Sequence, residues 1–214
     1  MIKVARSPKP AILERNKQTW TDALLRTATA AGKRNAEGKY RHPSIKDAIV
    51  AMFHGKCAYC ESRISHIAYG HIEHFKPKST FPELTFEWTN LLLSCPICNG
   101  PEYKGDCFPE ASEGGPLINP CDDAPAEHFE FVFDPAVKLA SVIGKTVRGQ
   151  TTEKILGLNR ADLREYRSKM VMTLYALSVY AVTDPAAQTL LEEACRDDGE
   201  YAAFIRSFAG CLSL

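Results

Sequence analysis

The chain has 214 residues, 45% of them hydrophobic and 24% charged, with acidic and basic side chains in equal number. That composition supports a real core and fits one domain with extensions, or two small domains. No run reaches the ~20 apolar residues of a membrane span, and the opening MIKVARSPKP lacks the apolar stretch of an export signal. A cytoplasmic protein with no membrane association is expected. The zero net charge hides an asymmetry, because residues 1–50 carry eleven Lys/Arg against four Asp/Glu and the remainder carries the opposite excess. A basic N-terminal part can steer toward phosphate backbones. It can equally neutralise an acidic partner or the acidic stretch around Asp184–Glu200, and both readings stay open.

In chain order, residues 11–32 predict a helix that follows Pro10 and carries an apolar stripe of Ile12, Trp20, Leu24 and Leu25. The Gly/Lys/Asn-rich stretch 32–40 predicts a mobile linker. A second short helix is expected from Ser44, capped with Asp47, through Ile49, Val50 and Phe53 to a stop at Gly55. Periodicity is weak over 56–109, where short strands around 69–75 and a turn at Phe81–Leu84 are expected. A Pro/Gly/Asp-rich loop covers 109–127. Phe129, Phe131 and Phe133 alternate, which predicts a half-buried strand over 128–133, with a second strand within 137–149. From 152 onward the pattern is helical. Asn159 is the expected N-cap of a long helix bearing Leu163, Tyr166, Met170, Leu174, Leu177 and Val179. Asp184-Pro185 starts another helix, and a last one covers 199–212.

Eight cysteines is a high count for a chain expected in a reducing compartment, where clustered thiols point to metal rather than disulfides. Cys57-Ala-Tyr-Cys60 and Cys95-Pro-Ile-Cys98 form two C-x2-C pairs, each able to present two sulfurs to one tetrahedral ion from a tight turn. Four thiolates fill the coordination sphere, so this zinc is structural and substitutes for a core that a small module cannot build. A redox C-x-x-C would need only one pair. Cys107, Cys121, Cys195 and Cys211 read as free core thiols.

Between the pairs lies Gly-His71-Ile-Glu73-His74-Phe-Lys76-Pro-Lys78-Ser, followed by Glu-Trp-Thr-Asn90-Leu, and Asn99 directly follows Cys98. This order of two cysteines, Glu-His, Asn, two cysteines and Asn resembles the HNH nuclease family in its zinc-stapled form. The resemblance implies a ββα-metal fold with Glu-His on the first strand, the middle Asn in the loop before the helix and the last H/N position near the second cysteine pair. It makes His74 the general base, since imidazole accepts a proton near neutrality. Glu73 and the amide oxygen of Asn99 become hard ligands for Mg²⁺ or Mn²⁺, and Asn90 orients His74 or its strand. Family members commonly carry a lysine two residues beyond the last Asn. Here Gly100-Pro101-Glu102-Tyr103 intervenes before Lys104, and Gly100-Pro101 should interrupt any helix there. His71 could touch the scissile phosphate or only pack, and His128 has no assigned chemistry.

The segments KCAYCE, IEHFKPKS, LLLSCPICN, PLINP and GLNR, spread over residues 55–168, are further similar to the PtuB-type HNH proteins of Septu and retron-associated antiphage systems. That implies an ATPase partner of the PtuA type. The expected architecture is α+β: a basic N-terminal helical arm over 1–43, a zinc-stabilised ββα-metal nuclease domain over 44–135, and a helical C-terminal region over 136–214 that could dock a partner. The expected function is metal-dependent endonucleolytic cleavage of nucleic acid, with DNA favoured. A ribonuclease using the same residues, or a non-catalytic zinc module that binds nucleic acid or protein, are the alternatives.

Overall fold

The computed structural model describes residues 1–65 and 68–209. The chain divides into two compact units, one of Ala5–Ala58 and Ile64–Phe108, the other of Met1–Val4, Tyr59–Arg63 and the residues from Pro109 onward.

The first unit opens with α1 (Ala11–Arg26), which buries Leu13, Thr21 and Leu24 and sets Trp20 edge-on to Phe86 at 5.5 Å. The expected linker is instead a second helix, α2 (Ala30–Glu37), followed by a 3-10 turn over Gly38–Arg41. Thr29 explains the difference: its hydroxyl accepts from Gly32 N at 3.1 Å, supplying the N-terminal cap that lets a polar stretch close as helix. α3 (Pro43–Met52) begins one residue earlier than Ser44, with Pro43 in the first turn and His42, not Ser44, as the capping side chain. Proline costs nothing there because its missing N–H would have had no helical partner. Gly55, at φ +69°, ends the helix where the sequence placed the stop, in a conformation that a Cβ would strain. Ile45, Ile49 and Met52 bury the inner face of α3. That face packs on β2 (Leu91–Ser94), which pairs antiparallel with β1 (His71–His74). Every residue of β2 is buried, so it reads as a plain apolar run without alternation. Beyond β2 the chain makes turns through residue 106 and forms no helix among them, in keeping with Gly100-Pro101.

The second unit is built on a hairpin, β3 (Phe129–Asp134) and β4 (Leu139–Gly144), preceded by a one-turn helix α4 (Pro125–His128). α5 (Val147–Ile155) and α6 (Ala161–Tyr180) pack on β4, α8 (Ala202–Phe208) packs on β3, and α7 (Pro185–Cys195) bridges α6 and α8. Phe131 meets Phe204 at 5.3 Å and Phe133 meets Tyr175 at 5.2 Å, which gives the alternating phenylalanines their half-buried face. Asp184 caps α7 as expected, accepting from Ala186 N at 2.9 Å.

Asn159 does not cap α6; the cap position is Arg160, which has no side-chain bond there. Asn159 is spent elsewhere, bonding both the N–H and C=O of Val142 on β4 at 2.9 and 2.7 Å. Arg167 is buried beside it, donating to the carbonyls of Ala140 and Leu158 at 2.7 and 2.8 Å, with its guanidinium 4.7 Å from the Phe204 ring. Burial pushes its pKa down to about 10, which still leaves it charged at neutrality. Of the four cysteines outside the two pairs, Cys195 is buried as expected, whereas Cys107 is exposed and Cys121 half-buried rather than in the core. Cys211 lies outside the described residues. No described helix is long and apolar enough to cross a membrane.

Candidate active site

The two cysteine pairs meet. Their four sulfurs all lie within 4.8 Å of one another, close to the ~3.8 Å spacing that four thiolates at ~2.3 Å from a tetrahedral zinc would adopt. Cys98 N–H points at Cys95 Sγ from 3.3 Å, the turn geometry that stabilises a bound thiolate. Main-chain bonding reinforces the arrangement, because Ala58 N donates to Leu93 O on β2 at 2.8 Å. The donor set is all sulfur, so it suits zinc and leaves no position for substrate.

β1 and β2 are joined by a sixteen-residue loop, 75–90, and one buried amide closes it. Asn90 Oδ1 accepts from Lys76 N at 2.7 Å, while its Nδ2 donates to Lys76 O at 3.0 Å and to Leu84 O at 3.3 Å. Its own carbonyl accepts from Phe75 N at 2.9 Å. The clamp fixes the segment holding Thr85, whose carbonyl lies 3.0 Å from His74 Nε2. A carbonyl only accepts, so Nε2 carries the proton and Nδ1 keeps the lone pair. The Tyr40 ring stands edge-on to the imidazole at 4.7 Å. Burial pushes the His74 pKa down to about 4 against the opposing pull of the Thr85 carbonyl, with Lys78 and Lys104 lowering it further. His74 is therefore neutral at pH 7.

Strand alternation puts His71 and Glu73 on one face of β1 and Ile72 and His74 on the other. Glu73 is buried and ion-paired with buried Lys104, whose Nζ lies 2.5 Å from Oε1 and also donates to His74 O at 3.1 Å. Asn99 turns its amide to exposed His71, with Nδ2 3.3 Å from Nδ1. Desolvation, then the charges of Lys46 and Arg41, hold the His71 pKa below its ordinary value. Carboxylate and amide oxygens are the hard donors that Mg²⁺ or Mn²⁺ takes, so Glu73 and Asn99 fit such a cation chemically. A cation at Glu73 would share or displace the Lys104 ammonium.

The model of the HNH endonuclease family matches residues 57–105, the interval that holds both cysteine pairs, the strand pair and Lys104. Over 204 residues the chain is 33% identical to the Septu protein PtuB of Bacillus mycoides, covering 79% of this chain and 67% of that protein. The chain belongs to the PtuB family of HNH proteins. A second Septu protein PtuB, from Bacillus thuringiensis, is 34% identical over 81% of this chain and 60% of its own length. The putative HNH endonuclease of retron Vc95 from Vibrio cholerae is 27% identical over 61% of this chain and 64% of its own length. The chain thus spans between three fifths and about two thirds of these relatives.

Within this HNH site, Lys104 is the residue that sequence reasoning left without a role. The four residues between Asn99 and Lys104 fold back in turns, with Tyr103 N bonding Gly100 O at 3.0 Å and Lys104 N bonding Cys98 O at 3.2 Å. The turns return the lysine to the Glu-His strand despite its displaced position. Only the lysine's presence after the last Asn signalled it. His128 is structural: its Nδ1 lies 2.8 Å from the hydroxyl of Thr146, the cap of α5. Tyr40 carried no signal, because its contact with His74 is made across 34 residues of chain.

Proposed function

We propose that the chain is a divalent-metal-dependent HNH endonuclease that hydrolyses phosphodiester bonds in nucleic acid, DNA by preference, as the nuclease effector of an antiphage system. The observation that carries this reading is the His74–Thr85 hydrogen bond, held by the Asn90 clamp on the strand next to the four-thiolate staple. It fixes the tautomer of an imidazole kept neutral by burial, the state a general base needs before reaction.

In this mechanism His74 Nδ1 takes the proton of the attacking water. Glu73 and Asn99 would hold Mg²⁺ or Mn²⁺, which when bound supplies Lewis-acid charge at the leaving oxygen. Lys104 balances the Glu73 carboxylate and holds the end of β1 through the His74 carbonyl. Asn90 acts through the loop and touches no substrate. Cys57, Cys60, Cys95 and Cys98 would hold a structural zinc, and Asn99, covalently next to Cys98, would be fixed by it. Water as nucleophile needs no 2′-hydroxyl, which is compatible with DNA. The Septu relatives support a partner of the PtuA type; in this reading the partner is an ATPase, docks on the helical region beyond residue 150, and acts with the chain in the cytoplasm.

The test is cleavage of labelled DNA and RNA by the purified chain, with and without the partner ATPase, with Mg²⁺ or Mn²⁺ added or omitted. Divalent-dependent cleavage that disappears in His74→Ala with the fold intact is expected. Cleavage by His74→Ala at the unsubstituted rate would overturn the base assignment.

A further inference from the structure

Beside His71 and Asn99 the first unit opens a cavity of about 530 Å³, within the ~300–1,000 Å³ range of small-molecule sites. Its wall carries two cations, Arg41 and Lys46, and two aromatic rings, Tyr40 and Tyr69, and no carboxylate lines it among the described residues. Each cation has a hydrogen-bond acceptor in the wall. Arg41 Nε donates to the Tyr40 hydroxyl at 3.2 Å with its guanidinium over that ring, and Lys46 Nζ donates to the Gly70 carbonyl. Tyr69 is the reverse case, 95% exposed and therefore without a packing role. A large apolar ring offered wholly to water beside two positive charges makes sense as a contact surface.

From this we infer that the Arg41–Lys46–Tyr69 cavity is a nucleotide subsite, in which the two cations bind the phosphate of a nucleotide flanking the scissile bond and Tyr69 stacks on its base. The subsite rests on the nuclease reading for its position, since His71 and Asn99 border both. Cations on a wall that no carboxylate lines among the described residues attract phosphate. An exposed aromatic ring accepts any unstacked base, because every base has a π-face. The strand bound here is therefore single-stranded or locally opened.

The probe is a fluorescein-labelled twelve-nucleotide oligothymidylate, titrated by anisotropy into the full chain without added Mg²⁺, in a His74→Ala background so that cleavage and binding are read apart. Tyr69→Ala, which cannot unfold the protein through packing loss, is expected to weaken binding about tenfold, and Tyr69→Phe to retain it. Arg41→Gln and Lys46→Gln are each expected to weaken binding and to lower the slope of log K against log salt by about 0.7. Thermal unfolding of each variant checks that the fold is kept. Affinity unchanged within twofold in Tyr69→Ala and an unchanged salt slope in both charge variants would overturn the subsite, even if the chain cleaves DNA. Conversely, these losses together with no cleavage by the His74-bearing chain, alone or with its partner, would sustain nucleotide binding at the cavity and remove the nuclease reading. A labelled glutamate decamer that binds with the same dependence while the oligothymidylate does not bind would mark an acidic-peptide site and also overturn it.

Discussion

Replacing Lys104 by Met keeps the stem of the side chain and removes only its charge. Lys104 is 1% exposed and Glu73 3%, with Nζ 2.5 Å from Oε1, so the carboxylate left behind stays out of water without its ammonium. Breaking a buried pair from one side costs about 3–5 kcal/mol, much more than an exposed pair would. The hydrogen bond to the His74 carbonyl goes with it. For a chain of this size that corresponds to a melting-temperature loss of roughly 10 °C. Both tryptophans, Trp20 and Trp88, lie in the first unit, so thermal unfolding followed by tryptophan fluorescence reports on the unit that contains the pair. Glu73→Gln alone should also destabilise. The double variant Lys104→Met with Glu73→Gln should cost less than the sum of the singles by about 2–3 kcal/mol, because neither buried charge remains. A loss below about 1 kcal/mol in Lys104→Met, or strictly additive singles, would refute the pairing argument.

Cys95→Ser combined with Cys98→Ser, or treatment with a strong chelator, should abolish one zinc per chain by elemental analysis and unfold the first unit, since binding energy at such a site is folding energy. Asn90→Ala should cost about 2–3 kcal/mol in the same fluorescence assay, from three lost bonds and a carbonyl left buried. In the second unit, burial would push the Asp123 carboxyl up, but the Arg148 hydrogen bonds and charge, with the Asn119 N–H, overcome it and hold the pKa below its ordinary value. A lowered carboxyl contributes stability that is complete above its unfolded pKa and is lost as pH falls through the folded one. Arg148→Met should therefore destabilise by about 1 kcal/mol at pH 7, the pair being partly exposed, and the difference from the unsubstituted chain should shrink below pH 4. Denaturation curves at pH 3 and pH 7 measure it.

What could be read from the residues alone was whatever is local. A C-x2-C pair, an alternating Phe triplet and Asp-Pro at a helix start each confine their information to a few neighbouring positions, and all three appear where expected. Gly55 belongs with them. Residues whose partners come from distant segments were misjudged or missed. Asn159 reads as a cap by composition, yet the Val142 main chain on β4 claims its amide. The 32–40 stretch reads as a linker because its helix signal lies upstream, in the Thr29 hydroxyl. Lys104 was out of register by sequence counting, and turns that counting cannot see restore it to Glu73. Within the site, β1 carries Glu-His as expected, whereas the neighbours of its side chains were not legible: His71 and Glu73 share a face, His71 beside the half-buried Asn99 and Glu73 paired with Lys104.

The most direct measurement of the account is the single-turnover cleavage rate of a labelled DNA duplex by the chain together with its partner ATPase in Mg²⁺, compared between the unsubstituted protein and a folded, zinc-replete His74→Ala. Loss of the general base should slow cleavage by about 10²–10⁴-fold. A His74→Ala rate within a few-fold of the unsubstituted one would contradict the claim that this imidazole, fixed by Thr85 and the Asn90 clamp, performs the chemistry.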